Sequence, residues 1–341
     1  MEVRYQFRPY RRRFRSPLKT AHGLWNTRQG LLLKVEYEQD NQLVTTYGEC
    51  APIPEFGTET LEEAGDWLRR KKGECQCPDD LDETFSSSYP ALRSAFSMAL
   101  RSENQMSRLH EKMPVTWLLP HGEQAVDSLS YALEKGYRHF KWKITTEEPV
   151  QTYTLFLQLI KQLPEDARLC LDANGSLDNM RAKQWLRYLD GAKVSWLEQP
   201  LPPAQEEDLW KYANHYQAPI ALDESVTTVQ QMRHFIEAGW PGAIVVKPSL
   251  MGSLESFLEL REKYRPTLIY STSFETSIGI QYLLQLAASD PCAELLPLGI
   301  GALAHLRDDG LCFHEFGAQV MLWGFQSNDF EPLWESLENK H

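Results

Sequence analysis

Residues 138–143, RHFKWK, form the first of five short apolar runs that each end in one charged residue. The other four are RLCLD (168–172), KVSWLE (193–198), PIALD (219–223) and AIVVK (243–247). Successive final residues are separated by 29, 26, 25 and 24 positions; they are Lys143, Asp172, Glu198, Asp223 and Lys247. One strand and one helix of an α/β barrel together take ~25–30 residues. This spacing predicts one charge at the end of each of five successive strands, although a charge can also end a strand simply because it reaches solvent.

Three more apolar runs extend the same pattern: VTWLL (115–119), TLIYS (267–271) and CAELL (292–296). The stretches between the runs have the periodicity of amphipathic helices, as in 177–190, where Leu177, Trp185 and Leu189 share one side. Eight β-like runs that alternate with helices favour an α/β fold with a closed TIM-type barrel. An open, doubly wound parallel sheet is the alternative.

The first 110 residues have a different pattern. Residues 30–50 read as a β-hairpin with a polar turn at Asp40-Asn41-Gln42, and helices are predicted at about 60–72 and 89–103. We therefore expect an α+β domain over 1–110 and a barrel over 111–310. The tail, about 311–341, is β-like at its start and is expected to return to the first domain.

The composition restricts the classes of partner. The 341 residues carry 35 basic and 47 acidic side chains, a net charge of −12, which argues against a general nucleic-acid binder. Mean hydropathy is −0.45 and no apolar run approaches 18 residues, so no membrane span is predicted. The charged N-terminus lacks a signal-peptide core, which predicts a cytoplasmic location. A small carboxylate substrate is compatible with this charge, because a local cationic pocket does not show in a net charge. The sequence leaves the oligomeric state open.

The sequence contains no other motif that is typical of a catalytic or metal-binding site. The histidines lack zinc-binding spacing, and there is no phosphate-binding glycine loop and no nucleophile elbow. Of six cysteines only Cys75 and Cys77 are close together, and we expect reduced thiols. The chemistry must therefore come from carboxylates and lysines.

The three carboxylates Asp172, Glu198 and Asp223 end adjacent predicted strands, which lie ~4.8 Å apart. Carboxylates this close cannot all stay ionised without a cation. An all-oxygen ligand set favours Mg²⁺ over Zn²⁺, with Mn²⁺ as a substitute. Protonated acids or salt bridges to arginines are the alternative.

Lysines complete the predicted site. Lys141 and Lys143 share one face of the second strand, and Phe140 and Trp142 share the other. Lys247 ends the sixth strand, opposite the second in an eight-stranded barrel. A lysine near other cations has a lowered pKa and can act as a base. The arrangement suits removal of a proton α to a metal-bound carboxylate, which gives an enediolate. A cationic pair facing the edge of the sheet is the alternative.

The set K-x-K, D-x-N, E-x-P, D-E-S and V-K-P resembles the muconate-lactonizing subgroup of the enolase superfamily. The resemblance implies a (β/α)₇β barrel closed by an α+β capping domain. It implies Mg²⁺ ligation by the three carboxylates and places Asn174 near the metal. By the same resemblance, Lys143 is the principal base and acid, Lys247 is the opposing lysine, and Lys141 supports Lys143.

Four segments resemble the o-succinylbenzoate synthase family: 17–33, 47–64, 245–255 and 271–280. This implies a hydro-lyase of menaquinone or phylloquinone biosynthesis that dehydrates 2-succinyl-6-hydroxy-2,4-cyclohexadiene-1-carboxylate in a syn elimination. The implied substrate contacts come from the capping loops around 20–25 and Phe56 and from the barrel. They are Thr20, Asn174, Ser271, Ser273 and Gly299. Some family members carry arginine two residues before the first metal ligand, where this chain has Cys170.

Alternatives remain at this stage. A racemase or dipeptide epimerase of the same superfamily needs the same metal and both opposed lysines, and a non-catalytic binding module could keep the same scaffold. Residues 299–301, Gly-Ile-Gly, could present amides to an anion or form a tight turn. The basic run from Arg8 to Arg15 could bind an acidic partner or form a solvated strand face.

Overall fold

The computed structural model describes residues 2–20, 23–77, 79–101, 112–144, 149–291, 296–313, 316–321 and 327–337. Its first part is an antiparallel sheet in the order β3-β2-β1-β4. The strands are β1 (Glu2–Thr20), β2 (Gly23–Gln39), β3 (Gln42–Cys50) and β4 (Glu74–Gln76). The helices of this part are α1 (Leu61–Arg70), α2 (Glu83–Ser88) and α3 (Pro90–Leu100).

The hairpin between β2 and β3 turns on two residues rather than the three expected. Asp40 and Asn41 have φ values of 52° and 59°, the left-handed backbone that a two-residue type I′ turn requires. Gln42 pairs with Gln39 and so begins β3. Both predicted helices form, slightly shorter than expected.

A seven-stranded parallel sheet follows, with its strands side by side in chain order. After β5 (Lys112–Pro114), which lies outside this sheet, its strands are β6 (Thr116–Leu119), β7 (His139–Lys143), β8 (Arg168–Asp172), β9 (Val194–Glu198), β10 (Ile220–Leu222), β11 (Ala243–Val246) and β12 (Leu268–Tyr270). The helices that alternate with them are α4 (Gln124–Glu134), α5 (Pro149–Gln162), α6 (Asn179–Leu189), α7 (Glu206–His215), α8 (Val229–Glu237), α9 (Leu254–Tyr264) and α10 (Ser277–Ala288). The predicted mixed α/β fold with a parallel sheet is confirmed.

The strand order excludes the doubly wound alternative, because a doubly wound sheet reverses its order at a switch point. Backbone bridges also join Val115 to Leu298 and Ser271 to Gly299, both in parallel orientation. The segment 298–299 therefore lies between the first and last strands of the sheet. The expected last strand, 292–296, lies outside the described residues except for Leu296.

Alternation along the strands separates two environments. Phe140 and Trp142 on β7 are buried in the main core with residues of the surrounding helices. The opposite faces contribute a separate inner cluster that contains Cys170, Trp196, Ala221, Ala243, Val245 and Ile269. The apolar pair on β7 thus packs outward, as predicted, and leaves Lys141 and Lys143 on the inner side.

The tail contacts both parts of the chain. Strand β13 (Gln319–Met321) pairs antiparallel with β5, and helix α11 (Glu331–Ser336) packs against the first sheet. Arg8 Nη1 donates to the Trp334 carbonyl oxygen at 2.8 Å, and Lys34 Nζ lies 2.8 Å from Glu331 Oε1. Within the described residues, the β-like start of the tail forms only this three-residue strand.

The basic run on β1 alternates between solvent and interior. Arg11 and Arg13 are exposed, which fits the solvated strand face. Arg12 is only 2% exposed, and its Nε lies 2.9 Å from Asp309 Oδ2. This side chain therefore forms an ion pair inside the protein. In the described part of the chain, no helix is both long and apolar enough to span a membrane.

Candidate active site

A cavity of about 580 Å³ lies at the carboxyl ends of the parallel strands. All five predicted strand-end charges line it: Lys143, Asp172, Glu198, Asp223 and Lys247. The other predicted site residues with described side chains also line it: Lys141, Asn174, Ser271, Ser273 and Gly299. Phe56 and Trp25 contribute to the wall from the first part of the chain. Thr20 lies at the end of β1, but its side chain is outside the described residues.

Strand register explains why these groups meet. Lys143 is paired with Asp172 across β7 and β8, and Asp172 is paired with Glu198 across β8 and β9. Asp223 and Lys247 each directly follow a strand of the same sheet. Because parallel strands present their carboxyl ends at one edge, the five charges lie at the same level.

Lys141 neutralises two of the carboxylates. Its Nζ lies 3.0 Å from Asp172 Oδ2 and forms an ion pair with Glu198 Oε1. Burial opposes the charge on Lys141, but the two carboxylates outweigh it and hold the lysine pKa well above its usual value. Burial likewise opposes the charge on Asp172, yet Lys141 keeps the Asp172 pKa below its usual value.

The third carboxylate, Asp223, is paired with a different lysine, Lys247. Lys247 Nζ forms an ion pair with Asp223 Oδ1. The same ammonium lies 4.8 Å from the centroid of the Phe56 ring, a cation–π distance. Phe56, from the predicted capping domain, thus contacts Lys247, the lysine predicted to lie opposite Lys143.

Glu198 is the most enclosed of the three carboxylates. Its Oε2 accepts from Trp196 Nε1 at 3.3 Å and from Cys170 Sγ at 3.6 Å. Burial and the neighbouring Asp172 raise the pKa of Glu198. Burial also raises the pKa of Cys170 well above its usual value, so this side chain is a neutral thiol donor to Glu198.

Gln199, which was not predicted as a site residue, joins the ends of two strands. Its Oε1 accepts from the backbone nitrogens of Asp223 at 3.0 Å and Ser225 at 3.1 Å. Its Nε2 donates to the Leu201 carbonyl oxygen at 2.8 Å. Gln199 therefore fixes the backbone that carries Asp223. Its position inside the E-Q-P element was the available signal.

A fourth cavity carboxylate, Glu224, was also not identified. Asn174 Nδ2 donates to Glu224 Oε1 at 3.1 Å, and the Asn174 backbone nitrogen donates to Asp172 Oδ1 at 3.0 Å. Burial and the adjacent Asp223 raise the pKa of Glu224 to about 8. Asn174 thus links carboxylates at the ends of two different strands, β8 and β10. The D-E-S element contained the signal for Glu224.

The predicted serine contacts are partly engaged inside the protein. Ser271 Oγ donates to the Gly299 carbonyl oxygen at 3.1 Å, and Ser273 Oγ donates to Glu275 Oε1 at 2.6 Å. A Cβ atom on Gly299 would lie 2.6 Å from Ser271 Oγ, and one on Gly301 would lie 2.2 Å from the Thr116 carbonyl oxygen. The Gly-Ile-Gly segment therefore serves close packing between strand ends.

Among the described residues, no group of three or more His, Cys, Asp or Glu side chains is already arranged to hold a metal ion. The reason is visible in the ion pairs, since lysine ammonium groups contact Asp172, Glu198 and Asp223. The donor set still fits a hard divalent cation, because three carboxylates lie at one level on neighbouring strands.

Comparison with known proteins identifies the family. The family model described as "Enolase C-terminal domain-like" matches residues 124–307. An o-succinylbenzoate synthase of Thermosynechococcus vestitus is 33% identical over 299 residues, which cover 86% of this chain and 91% of that relative.

Solved structures agree with the sequence relatives. The crystal structure of o-succinylbenzoate synthase from Thermosynechococcus elongatus BP-1, with Mg in its active site, has a TM-score of 0.81 at 30% identity and covers 98% of this chain and 99% of that one. The N-succinyl Arg/Lys racemase of Bacillus cereus shares the fold, with a TM-score of 0.79 at 18% identity over 99% of this chain and 97% of that one. The matching fold, the site at the strand ends and this similarity together show that the chain belongs to the o-succinylbenzoate synthase family of the enolase superfamily.

Proposed function

We propose that this chain is a hydro-lyase that catalyses the Mg²⁺-dependent syn dehydration of 2-succinyl-6-hydroxy-2,4-cyclohexadiene-1-carboxylate to 2-succinylbenzoate. The observation that carries the proposal is that three lysines and three carboxylates from successive strands line one cavity. The family membership supports the same reaction, whose place is menaquinone or phylloquinone biosynthesis.

Asp172, Glu198 and Asp223 would hold Mg²⁺, with Mn²⁺ as a substitute. When bound, Mg²⁺ polarises the substrate carboxylate and stabilises the negative charge that proton removal places on it. To hold the cation, these three carboxylates would give up their ion pairs with Lys141 and Lys247. Asn174 and Gln199 support the ligands, because they fix the backbone or side chain next to Asp172 and Asp223.

Lys143 acts as the base and then as the acid. Its amine removes the ring proton α to the carboxylate, and the resulting ammonium returns that proton to the departing hydroxyl on the same face. Water leaves, and the ring becomes aromatic. Lys247 faces the reacting carboxylate from the opposite side and stabilises its charge, and Lys141 does so from beside Lys143.

We also propose the finer architecture. The barrel is a (β/α)₇β barrel over 111–310, and the bridges of Leu298 and Gly299 to both ends of the sheet support its closure. The capping domain comprises 1–110 with the tail 311–341. Ser271 and Ser273 help to hold the succinyl end of the substrate, Gly299 contributes a backbone contact, and Asn174 and Thr20 also bind the substrate. The protein is cytoplasmic.

The test is a dehydration assay on purified protein with Mg²⁺, run beside a racemisation assay on N-succinylamino acids. Turnover of the cyclohexadiene carboxylate supports the proposal. Solvent-deuterium incorporation into an N-succinylamino acid without dehydration would assign the chain to the racemase alternative, for which Lys143 and Lys247 would serve as two separate bases. Calorimetry that detects no Mg²⁺ binding, together with no activity, would favour a binding module.

A further inference from the structure

The loop between β12 and α10 forms one wall of the cavity. Ser271, Thr272, Ser273 and Phe274 all line it. Phe274 has a φ of 68°, a left-handed conformation that bulky residues rarely adopt and that persists only when the surroundings enforce it. Contacts from the surrounding residues must therefore hold Phe274 in this conformation.

Three charged side chains from the first sheet contact this loop, one from each of three neighbouring strands. Arg12 on β1 donates from Nη1 to the Glu275 carbonyl oxygen. Arg28 on β2 donates from Nε to the Ser273 carbonyl oxygen at 2.8 Å. The two arginines thus hold the carbonyl groups of the residues before and after Phe274.

Glu49 on β3 supplies the third contact. Its carboxylate accepts from the Thr276 backbone nitrogen at 2.9 Å, from Thr276 Oγ1 at 2.6 Å and from the Gly279 backbone nitrogen at 3.0 Å. These nitrogens belong to the start of α10, where backbone donors have no partner within the helix. Tyr10 on β1 donates its hydroxyl to the same carboxylate. We call Arg12, Arg28 and Glu49 the loop clamp.

The loop clamp is buried, which makes its contacts strong. Arg12, Arg28 and Glu49 are 2%, 5% and 0% exposed. A buried polar or charged group that loses its hydrogen bonds pays the cost of desolvation, so the loop cannot move away without that penalty. The packing is also tight, because a Cβ atom on Gly279 would lie 3.0 Å from Glu49 Oε2.

The aromatic wall of the cavity depends on the same contacts. The Phe274 ring meets the ring of Phe14 on β1 edge to face, with centroids 5.1 Å apart. Phe274 therefore belongs to a barrel loop, and both its ring and the carbonyl group of the preceding residue contact the first sheet, while its backbone nitrogen donates to Thr272 Oγ1 within the loop at 2.9 Å.

We propose that Arg12, Arg28 and Glu49 are positioning residues that hold Phe274 in its left-handed conformation, so that its ring forms a fixed apolar wall for the hydrocarbon part of the substrate. The proposal rests on the proposed function for its substrate. None of the three residues lines the cavity, whereas Phe274 does. The three residues therefore act on substrate binding, through Phe274, and not on proton transfer.

The test compares Glu49→Gln with a matched control, Glu59→Gln. Glu59 is also a buried carboxylate at a helix start, since it accepts from the backbone nitrogens of Ala91 at 3.1 Å and Leu92 at 2.6 Å on α3. It has no hydrogen bond to the Phe274 loop among those described. Both variants replace a buried carboxyl group at a helix start with an amide, but only one loosens the loop clamp.

We expect Glu49→Gln to raise KM by at least ~10-fold, the usual effect of losing a charged hydrogen bond, while kcat changes by less than about threefold. Backbone amides of 273–279 should exchange with deuterium faster in this variant and not in Glu59→Gln. Combined with Phe274→Ala, the effect of Glu49→Gln on KM should largely disappear, because the two residues act through one contact chain.

Equal KM values and equal loop exchange in the two glutamate variants would overturn the proposal. If Glu49→Gln does not fold, Arg28→Lys tests a second contact of the loop clamp, to the Ser273 carbonyl oxygen, and should also increase KM and amide exchange in the loop. If the unmodified protein does not dehydrate the substrate, the proposed function fails. Amide exchange of 273–279 then still decides whether the loop clamp holds the loop.

Discussion

Asp172 and Glu198 lie directly opposite each other across β8 and β9, and one ammonium group, that of Lys141, contacts both carboxylates. Two buried acids in register repel each other, and a positive charge between them relieves that repulsion. The protein itself therefore supplies the charge that stabilises this pair, and a divalent cation must compete with a lysine for the same oxygens.

Replacing Glu198 with glutamine should remove Mg²⁺ binding. A neutral amide is a weaker ligand for a hard cation than a carboxylate, and one of three negative charges is lost. Isothermal titration calorimetry measures the effect directly. Glu165→Gln is the control, because Glu165 forms a surface ion pair with Lys193 and should leave Mg²⁺ binding unchanged. Undiminished Mg²⁺ affinity in Glu198→Gln would contradict the assigned ligand set.

Removing the Lys143 amine should abolish dehydration. Lys143→Ala deletes the proposed base and acid, and a positioned general base contributes at least ~10²–10⁴-fold to the rate. The variant should also lose deuterium exchange at the abstracted ring position, measured by NMR in D₂O. Mg²⁺ binding should persist, because Lys143 is not a proposed ligand.

Removing the Lys247 amine should slow turnover without abolishing proton exchange. This lysine is proposed to stabilise charge, so Lys247→Ala should lose up to several kcal/mol of transition-state stabilisation. Some exchange at the ring position should remain, because Lys143 is still present. Equal exchange in Lys247→Ala and Lys143→Ala would point to two bases and would favour the racemase alternative.

Glu59 should make the protein less stable as pH rises from about 4.5 to about 7. Burial raises the pKa of Glu59 from its ordinary 4.5 to about 7 in the folded protein, so the folded state binds the proton more tightly than the unfolded state. The resulting stability is fully present below pH 4.5 and is lost as the pH passes 7, by ~3 kcal/mol. Thermal unfolding of Glu59→Gln should show a smaller decrease in Tm across this window. An unchanged pH dependence would contradict the raised pKa.

Adding a methyl group at Gly48 should destabilise the fold. A Cβ atom there would lie 2.1 Å from the carbonyl oxygen of Ala95 on α3, and neither backbone can move without separating β3 from the helix. Overpacking of this kind costs about 1–3 kcal/mol. Chemical denaturation of Gly48→Ala should show the loss, whereas Gly317→Ala should be tolerated, because its Cβ would meet nothing closer than 3.8 Å.

Much of the site could be predicted because its determinants are local. Alternation within 139–143 separates Lys141 and Lys143 from Phe140 and Trp142, and the near-constant spacing of the strand-end charges follows from the length of one strand and one helix. Parallel strands then bring their carboxyl ends to one edge, so no long-range contact had to be known. The length of the turn between β2 and β3 and the burial of the Arg12 side chain were harder to predict, because strand register and packing decide them.

The sequence by itself determined the parallel α/β fold and the five strand-end charges that line the cavity, since both follow from periodicities of two and about 3.6 residues and from the repeat of the strand–helix unit. Only the tertiary structure decided which carboxylates Lys141 contacts and that Glu49 accepts hydrogen bonds from Thr276, 227 positions away in the chain. Such contacts depend on how the first sheet packs on the barrel. That packing results from the shapes of whole surfaces, which no local pattern encodes.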